Sequence, residues 1–147
     1  MNKAFVREPD VEVPEQLPEL PLPPPPNPVT AEGNRRIVAA LEAAATPRER
    51  RYWAARLSTA RITPPPADAD EIGFGSQVTL DWPGRGAVTL SIVGEDEADP
   101  AKGLIGWRAP VAAALTGNGT GDEVAVTLAG RQVVLRVLSV RNLRSEP

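Results

Sequence analysis

Proline decides what much of this chain cannot become. The sequence holds 17 prolines, and most are gathered into two clusters rather than scattered. The first lies in PEQLPELPLPPPPNP, residues 14–28, and the second is Pro64-Pro65-Pro66. Proline lacks an amide N–H and fixes φ, so neither run can sit inside a helix or a sheet. From Pro21 to Pro26 the natural state is a polyproline II extension. The clusters divide the chain into an acidic tail (1–29), an arm (30–62), a stiff linker (63–72), a domain (73–142) and a short end (143–147). The tail is read either as a ligand for a proline-binding groove or as a spacer that hugs the surface. Phe5 and Val6, in MNKAFVR, are candidates to dock on a groove of the protein or of a partner.

Composition removes several functions. There is no Cys and no His, which excludes a disulfide framework, thiolate metal sites, His-ligated zinc and His-dependent catalysis. No apolar run is long enough to span a bilayer, and no apolar stretch follows the first charges as in a secretory signal. A cytoplasmic monomer without membrane contact is expected. Net charge is -3, but residues 31–62 are basic while both flanks are acidic. The arm's Arg35, Arg36, Arg48, Arg50, Arg51, Arg56 and Arg61 are read either as a solvated face or as a contact for nucleic acid or an acidic protein surface. Any nucleic-acid contact is expected to be weak, because acidic segments lie on both sides.

The arm predicts two helices. Thr30 caps one running from Ala31 to about Ala45, with Ile37, Val38 and Leu41 on one face. Thr46-Pro47-Arg48-Glu49 opens a second, as N-cap, first helical residue and closure of a capping box, and it runs to about Arg61. With almost no loop between them they must fold back as an antiparallel hairpin. An arm of about fifteen residues is roughly 22 Å long.

The domain reads as strands with one short helix. Gln77–Trp82 and Ala87–Val93 alternate around Pro83-Gly84-Arg85-Gly86, a hairpin. Pro110 opens a helix ending at Leu115. Val124–Leu128 and Val133–Val140 follow as strands. A helix over one face of a sheet makes an α+β layer. Between them Glu95, Asp96, Glu97 and Asp99 crowd one turn. Their spacing lacks the ligand pattern of a calcium loop, so the readings are a solvated turn or a surface meeting a basic partner. Gly94, Gly103, Gly117 and Gly121 are read as turn residues.

Several of these segments, in order, resemble one family. Phe74-Gly75-Ser76-Gln77-Val78, Ile92-Val93-Gly94-Glu95-Asp96-Glu97-Ala98-Asp99, Gly103-Leu104-Ile105, Pro110-Val111-Ala112 and Gly121-Asp122-Glu123-Val124 are similar to the C-terminal domain of the GreA/GreB transcription elongation factors. Val29-Thr30-Ala31-Glu32-Gly33 resembles the start of that family's coiled coil. The resemblance implies an FKBP-like antiparallel sheet with one short helix, held on RNA polymerase beside its secondary channel. It implies that Glu95, Asp96, Glu97, Asp99, Pro100 and Pro110 belong to the surface that meets the polymerase. Family members reach into the channel with a long coiled coil, whose tip carboxylates help hold the Mg²⁺ that drives cleavage of backtracked RNA. Here the arm is short, its tip is Ala43-Ala44-Ala45-Thr46-Pro47, and Gly106 and Ala109 replace the family's usual serines. The short arm also resembles the regulator of nucleoside diphosphate kinase.

The function expected from this resemblance is a polymerase-binding elongation regulator that lacks cleavage stimulation. It would not be an enzyme, and it would have no catalytic residue, metal ligand or cofactor. Two other readings stand beside it. One is an FKBP-like prolyl isomerase or a fold-only interaction module, for which only Phe74, Trp82 and Trp107 offer an aromatic lining. The other is residual cleavage through Glu42 or Glu49, the carboxylates flanking the tip.

Overall fold

The computed structural model describes residues 18–143. The docking expected of Phe5 and Val6, and the chain beyond Leu143, lie outside the described residues.

Helix α1 (Ala31–Ala43) starts where Thr30 predicts. The threonine is extended, and its Oγ1 accepts from Gly33 N at 2.9 Å, satisfying a donor that the first turn leaves open. Helix α2 (Pro47–Thr59) has the predicted reciprocal cap. Glu49 N donates to Thr46 Oγ1 at 3.1 Å, and Glu49 Oε1 accepts from Ala45 N at 3.0 Å.

Both helices stop two residues before their predicted ends. Ala44 and Ala45 form the link, with the Ala45 amide held by Glu49. Arg61–Ile62 becomes a strand (β2) that pairs in parallel with Pro28–Val29 (β1). Pro28 thus joins a two-stranded ladder, which has edges only and no sheet interior. The ladder donors are Arg61 N to Asn27 O (3.0 Å) and Thr63 N to Val29 O (2.9 Å), so no N–H is asked of the proline. This small ladder closes the hairpin at its base, beside the buried Val29, while Ile37 is buried on α1.

The second unit is α+β, as expected. Strands β3 (Ser76–Trp82), β4 (Gly86–Val93), β5 (Leu104–Gly106), β6 (Glu123–Leu128) and β7 (Arg131–Asn142) form one sheet in the order β5-β4-β3-β7-β6. The expectation of a purely antiparallel sheet needs one correction. The edge pair β4–β5 is parallel, and β5 is too short for its alternation to be read from sequence. Val78, Leu80, Leu135 and Val137 point inward, and helix α3 (Pro110–Leu115) covers them with Ala112 and Leu115. Each such fully buried aliphatic side chain contributes about 1.5–3 kcal/mol. The β3–β7 register shifts between Thr79 and Leu80, leaving Leu138 as the extra, exposed residue. That bulge moves the inward positions of β7 from Leu135 and Val137 to Val140.

The linker is shorter than predicted. Ile72 is fully buried, donates to Asn118 O at 2.9 Å and accepts from Gly117 N at 2.8 Å. The Asp70 carboxylate accepts from the amide and the hydroxyl of Thr120. These residues belong to the sheet unit. A lone isoleucine among polar neighbours has no period to reveal it, and its partners lie on a distant loop.

Candidate functional site

The site is the place where the arm meets the turn after β4. Gly94 opens that turn, its carbonyl accepting from Glu97 N at 3.2 Å, and it does so without positive φ. A Cβ at Gly94 would stand 2.7 Å from the Pro28 carbonyl oxygen. The glycine lets the base of the arm touch the end of β4. Gly103, Gly117 and Gly121 do adopt positive φ, as turn residues.

The next residues are Glu95, Asp96 and Glu97. Their sequence predicts relief from a basic partner, and the structure provides that relief from within the chain. Arg56 on α2 is only 3% exposed. Its Nε donates to Asp96 Oδ2 at 2.6 Å, and its Nη2 reaches Asn27 Oδ1 at 2.8 Å and Glu95 Oε1 at 3.2 Å. Tyr52, one turn earlier, donates its hydroxyl to Asp96 Oδ1 at 2.7 Å. Asn27 Nδ2 donates to Arg56 O at 2.9 Å and to Thr59 Oγ1 at 3.1 Å. Glu97 is buried at the start of α1 and accepts the Thr30 hydroxyl at 2.5 Å. A carboxylate there faces the positive end of the helix dipole. A Cβ on Gly33 would come within 2.7 Å of Glu97 Oε1, so this approach also depends on glycine.

Arg108 completes the cluster from the loop after β5. Its Nε meets Glu95 Oε2 at 2.7 Å, and its guanidinium lies 4.4 Å from the centre of the Trp107 ring. Its Nη2 donates to Pro24 O at 2.6 Å and to Pro26 O at 3.3 Å. The proline segment is thereby tied to the acidic turn.

The protonation states follow from these contacts. Burial works against the charge of Arg56, but its bond to Asp96 and the neighbouring Asp96, Tyr52 and Glu95 outweigh it, so its pKa lies above the ordinary value. Burial, and then the bond to Asp96, push Tyr52 up to about 12. Both shifts favour a charged Arg56 and a neutral Tyr52.

The GreA/GreB C-terminal model of transcription elongation factors matches residues 67–142. The chain belongs to the GreA/GreB family. Over 72 residues it is 42% identical to the transcription elongation factor GreA of Desulfovibrio desulfuricans, covering 48% of this chain and 44% of that one. Over 89 residues it is 42% identical to GreA of Halorhodospira halophila, covering 58% and 56%. The chain thus spans about half the length of the curated relatives it matches. Among solved structures, Gfh1 of Thermus thermophilus is similar at 19% identity with a TM-score of 0.44, over 76% of this chain and 86% of that one.

Within this GreA/GreB chain, the residues predicted to meet a partner fall into two groups. Glu95, Asp96 and Glu97 turn into the arm. Pro100 is exposed at the start of the 3-10 turn Pro100–Lys102, and Pro110 is exposed at the start of α3. Asp99 is half-buried, and its side chain makes no hydrogen bond or ion pair among the described residues.

The basic arm also divides. Arg56 leaves the exposed face altogether, because two carboxylates draw it inward. Arg35 and Arg36 grip Glu32 at 3.0 and 3.2 Å, and those bonds hold its carboxyl below the usual range. Arg51 makes two bonds to Glu19, at 2.8 and 2.7 Å, and Arg48 donates to Pro18 O at 3.2 Å. Arg50 reaches Ala44 O at 3.5 Å.

Sequence reasoning missed Asn27, Tyr52 and Arg108. Asn27 had a signal, as the amide that interrupts the proline run. Tyr52 and Arg56 are spaced to share a helix face, which is a weaker sign. At the tip, Glu49 is held in the cap of α2 and Glu42 is exposed. Arg85 covers Trp82 and Arg108 covers Trp107, and no ring–ring contact joins Phe74, Trp82 and Trp107 among the described residues.

Proposed function

We propose that this chain is a transcription elongation regulator that binds RNA polymerase through its sheet unit and does not stimulate transcript cleavage. The observation that carries the first half is the family match over residues 67–142. The second half rests on the arm. Each helix has 13 residues, which gives a hairpin of about 20 Å. Its link is alanine and threonine, and of the two flanking glutamates Glu49 is committed to a helix cap, which leaves the exposed Glu42 as a single carboxylate rather than a pair. A catalytic Mg²⁺ calls for carboxylate oxygens at the tip. On this reading the protein is a cytoplasmic, monomeric non-enzyme. Asp99, Pro100 and Pro110 remain available to the polymerase, and the outer arginines of the arm make a weak nucleic-acid contact.

The test is competition for core RNA polymerase between this chain and a cleavage-competent GreA. Mutual displacement, with no added cleavage of backtracked transcripts, is the expected result. Failure to bind at micromolar concentration would remove the polymerase as partner. Cleavage that falls on Glu42→Ala plus Glu49→Ala would overturn the non-cleaving half alone.

A further inference from the structure

The proline segment belongs to the arm. The buried Asn27 bonds Arg56 and Thr59 of α2 through its side-chain amide, and its carbonyl accepts from Arg61 N. Further out, Pro18 O and the Glu19 carboxylate meet Arg48 and Arg51 on the same helix. Between these attachments the segment crosses to the sheet unit. Arg108 Nη2 donates to Pro24 O at 2.6 Å and to Pro26 O at 3.3 Å, and among the described residues no other hydrogen bond joins residues 18–26 to that unit. The covalent joint lies elsewhere and is short. Thr63 N donates to Val29 O at the base of the arm. Two residues on, Pro65 packs against Gly75, where a Cβ would stand 3.4 Å from its own Cβ, and Pro66 packs against Gly73. Thr63 thus goes with the arm and Pro65 with the sheet unit, which leaves Pro64 as the pivot between them.

We propose that Arg108 is a clasp: it fastens the arm and its proline segment, as one body, to the sheet unit, and its loss lets that body turn about Pro64. The residue that carries the clasp is itself fixed to the sheet unit. Trp107 N donates to Val93 O at 3.0 Å, and Ala109 N donates to Gly106 O at 2.9 Å. The guanidinium is aimed before it meets the segment, since it rests on the Trp107 ring and its Nε is held by Glu95. A planar fork placed in this way keeps further donors for other acceptors, here two carbonyls, and a charged donor strengthens both bonds. Glu95 also accepts from Arg56, so one carboxylate joins the clasp to the buried cluster. The cluster holds the inner face of α2, and the clasp holds the segment that wraps outside it. It acts in the free chain, whatever that chain binds.

The chain has no cysteine, so introduced cysteines carry spin labels at chosen places. One labelled pair, Ala45→Cys with Thr127→Cys, joins the exposed link of the hairpin to the exposed face of β6. A second, Leu22→Cys with Ala45→Cys, lies within the arm and its proline segment. Pulsed electron spin resonance on the full chain should give one narrow distance for each pair. Arg108→Gln is expected to abolish the narrow distance of the first pair and to leave the second unchanged. Arg108→Lys keeps the charge beside Glu95 without the fork and should loosen the first pair in part. Glu95→Gln removes the ion pair but leaves both carbonyl bonds, and the first distance should stay narrow. Where Arg108→Gln loses its helical circular dichroism, Arg108→Lys is read by the same criteria. A first distance that stays narrow without Arg108 would overturn the clasp. So would a second distance that broadens with the first, because the segment and not the arm would then be coming loose. Equal broadening in Glu95→Gln would assign the hold to the ion pair and overturn it as well.

Discussion

Arg56 and Arg51 stand on the same helix, and each meets a carboxylate oxygen, at 2.6 and 2.7 Å respectively. Distance does not tell them apart, but surroundings do. The Arg56 side chain is 3% exposed, and its carboxylate partners Glu95 and Asp96 are 19% and 10% exposed. Arg51 and Glu19 stand mostly in water. Water screens the outer pair and competes for its donors, so such pairs contribute little. On the inner face the charges have lost most of their water, and each depends on the others. The inner face of α2 therefore fixes how the arm sits on the sheet unit, while the exposed Arg51–Glu19 pair adds little to that placement.

Breaking the inner cluster should have the largest effect. Arg56→Ala leaves Asp96 with only the Tyr52 hydroxyl and Glu95 with only Arg108 in a poorly solvated turn, and should cost about 3–5 kcal/mol in urea unfolding. A loss no larger than that of an exposed arginine would mean that the turn rehydrates freely and that the contrast between the two faces is false. Gly94→Ala comes next. Its new methyl group meets a backbone oxygen that cannot rotate away, and overpacking of this kind costs about 1–3 kcal/mol. A neutral Gly94→Ala would show that β1 and β4 are not held in contact.

Tyr52 gives a pH test of the same face. Its folded pKa of about 12 lies above the ordinary value of 10.0, so the fold favours the neutral phenol. The stability that this shift contributes is fully present below about pH 10 and is lost as the pH rises toward about 12. Tyr52→Phe has no phenol to titrate and should flatten the alkaline fall in that window, measured by denaturation from pH 9 to 12. An unchanged alkaline slope would place Tyr52 away from Asp96. The smallest effect belongs to the outer face. Glu19→Gln should leave the urea midpoint unchanged, and a clear loss of stability would make that pair structural.

Local signals were easy to read because they depend on neighbours in sequence. Thr30 and Thr46 placed both helix starts, because a cap and its amide lie within three residues. Pro110 and the alternation of Val78 and Leu80 placed α3 and β3 for the same reason. The family was also legible, since its motifs recur in order along the sheet unit. β5, the bulge at Leu138 and the burial of Ile72 were not. Each depends on a partner strand or loop that carries no mark in the nearby sequence.

The site shows the same division. The sequence determined that a basic arm and an acidic turn exist, and that the arm's tip lacks a carboxylate pair. It also determined that the chemistry of His and Cys is absent. Only the tertiary structure decided which arginine meets which acid. Seven arginines on the arm are equivalent to a reader of composition, and the ion pairs joining α2 to the turn span about forty positions of chain. Burial selected Arg56 from among them, because a charge that has lost its water must find its counter-charge in the fold.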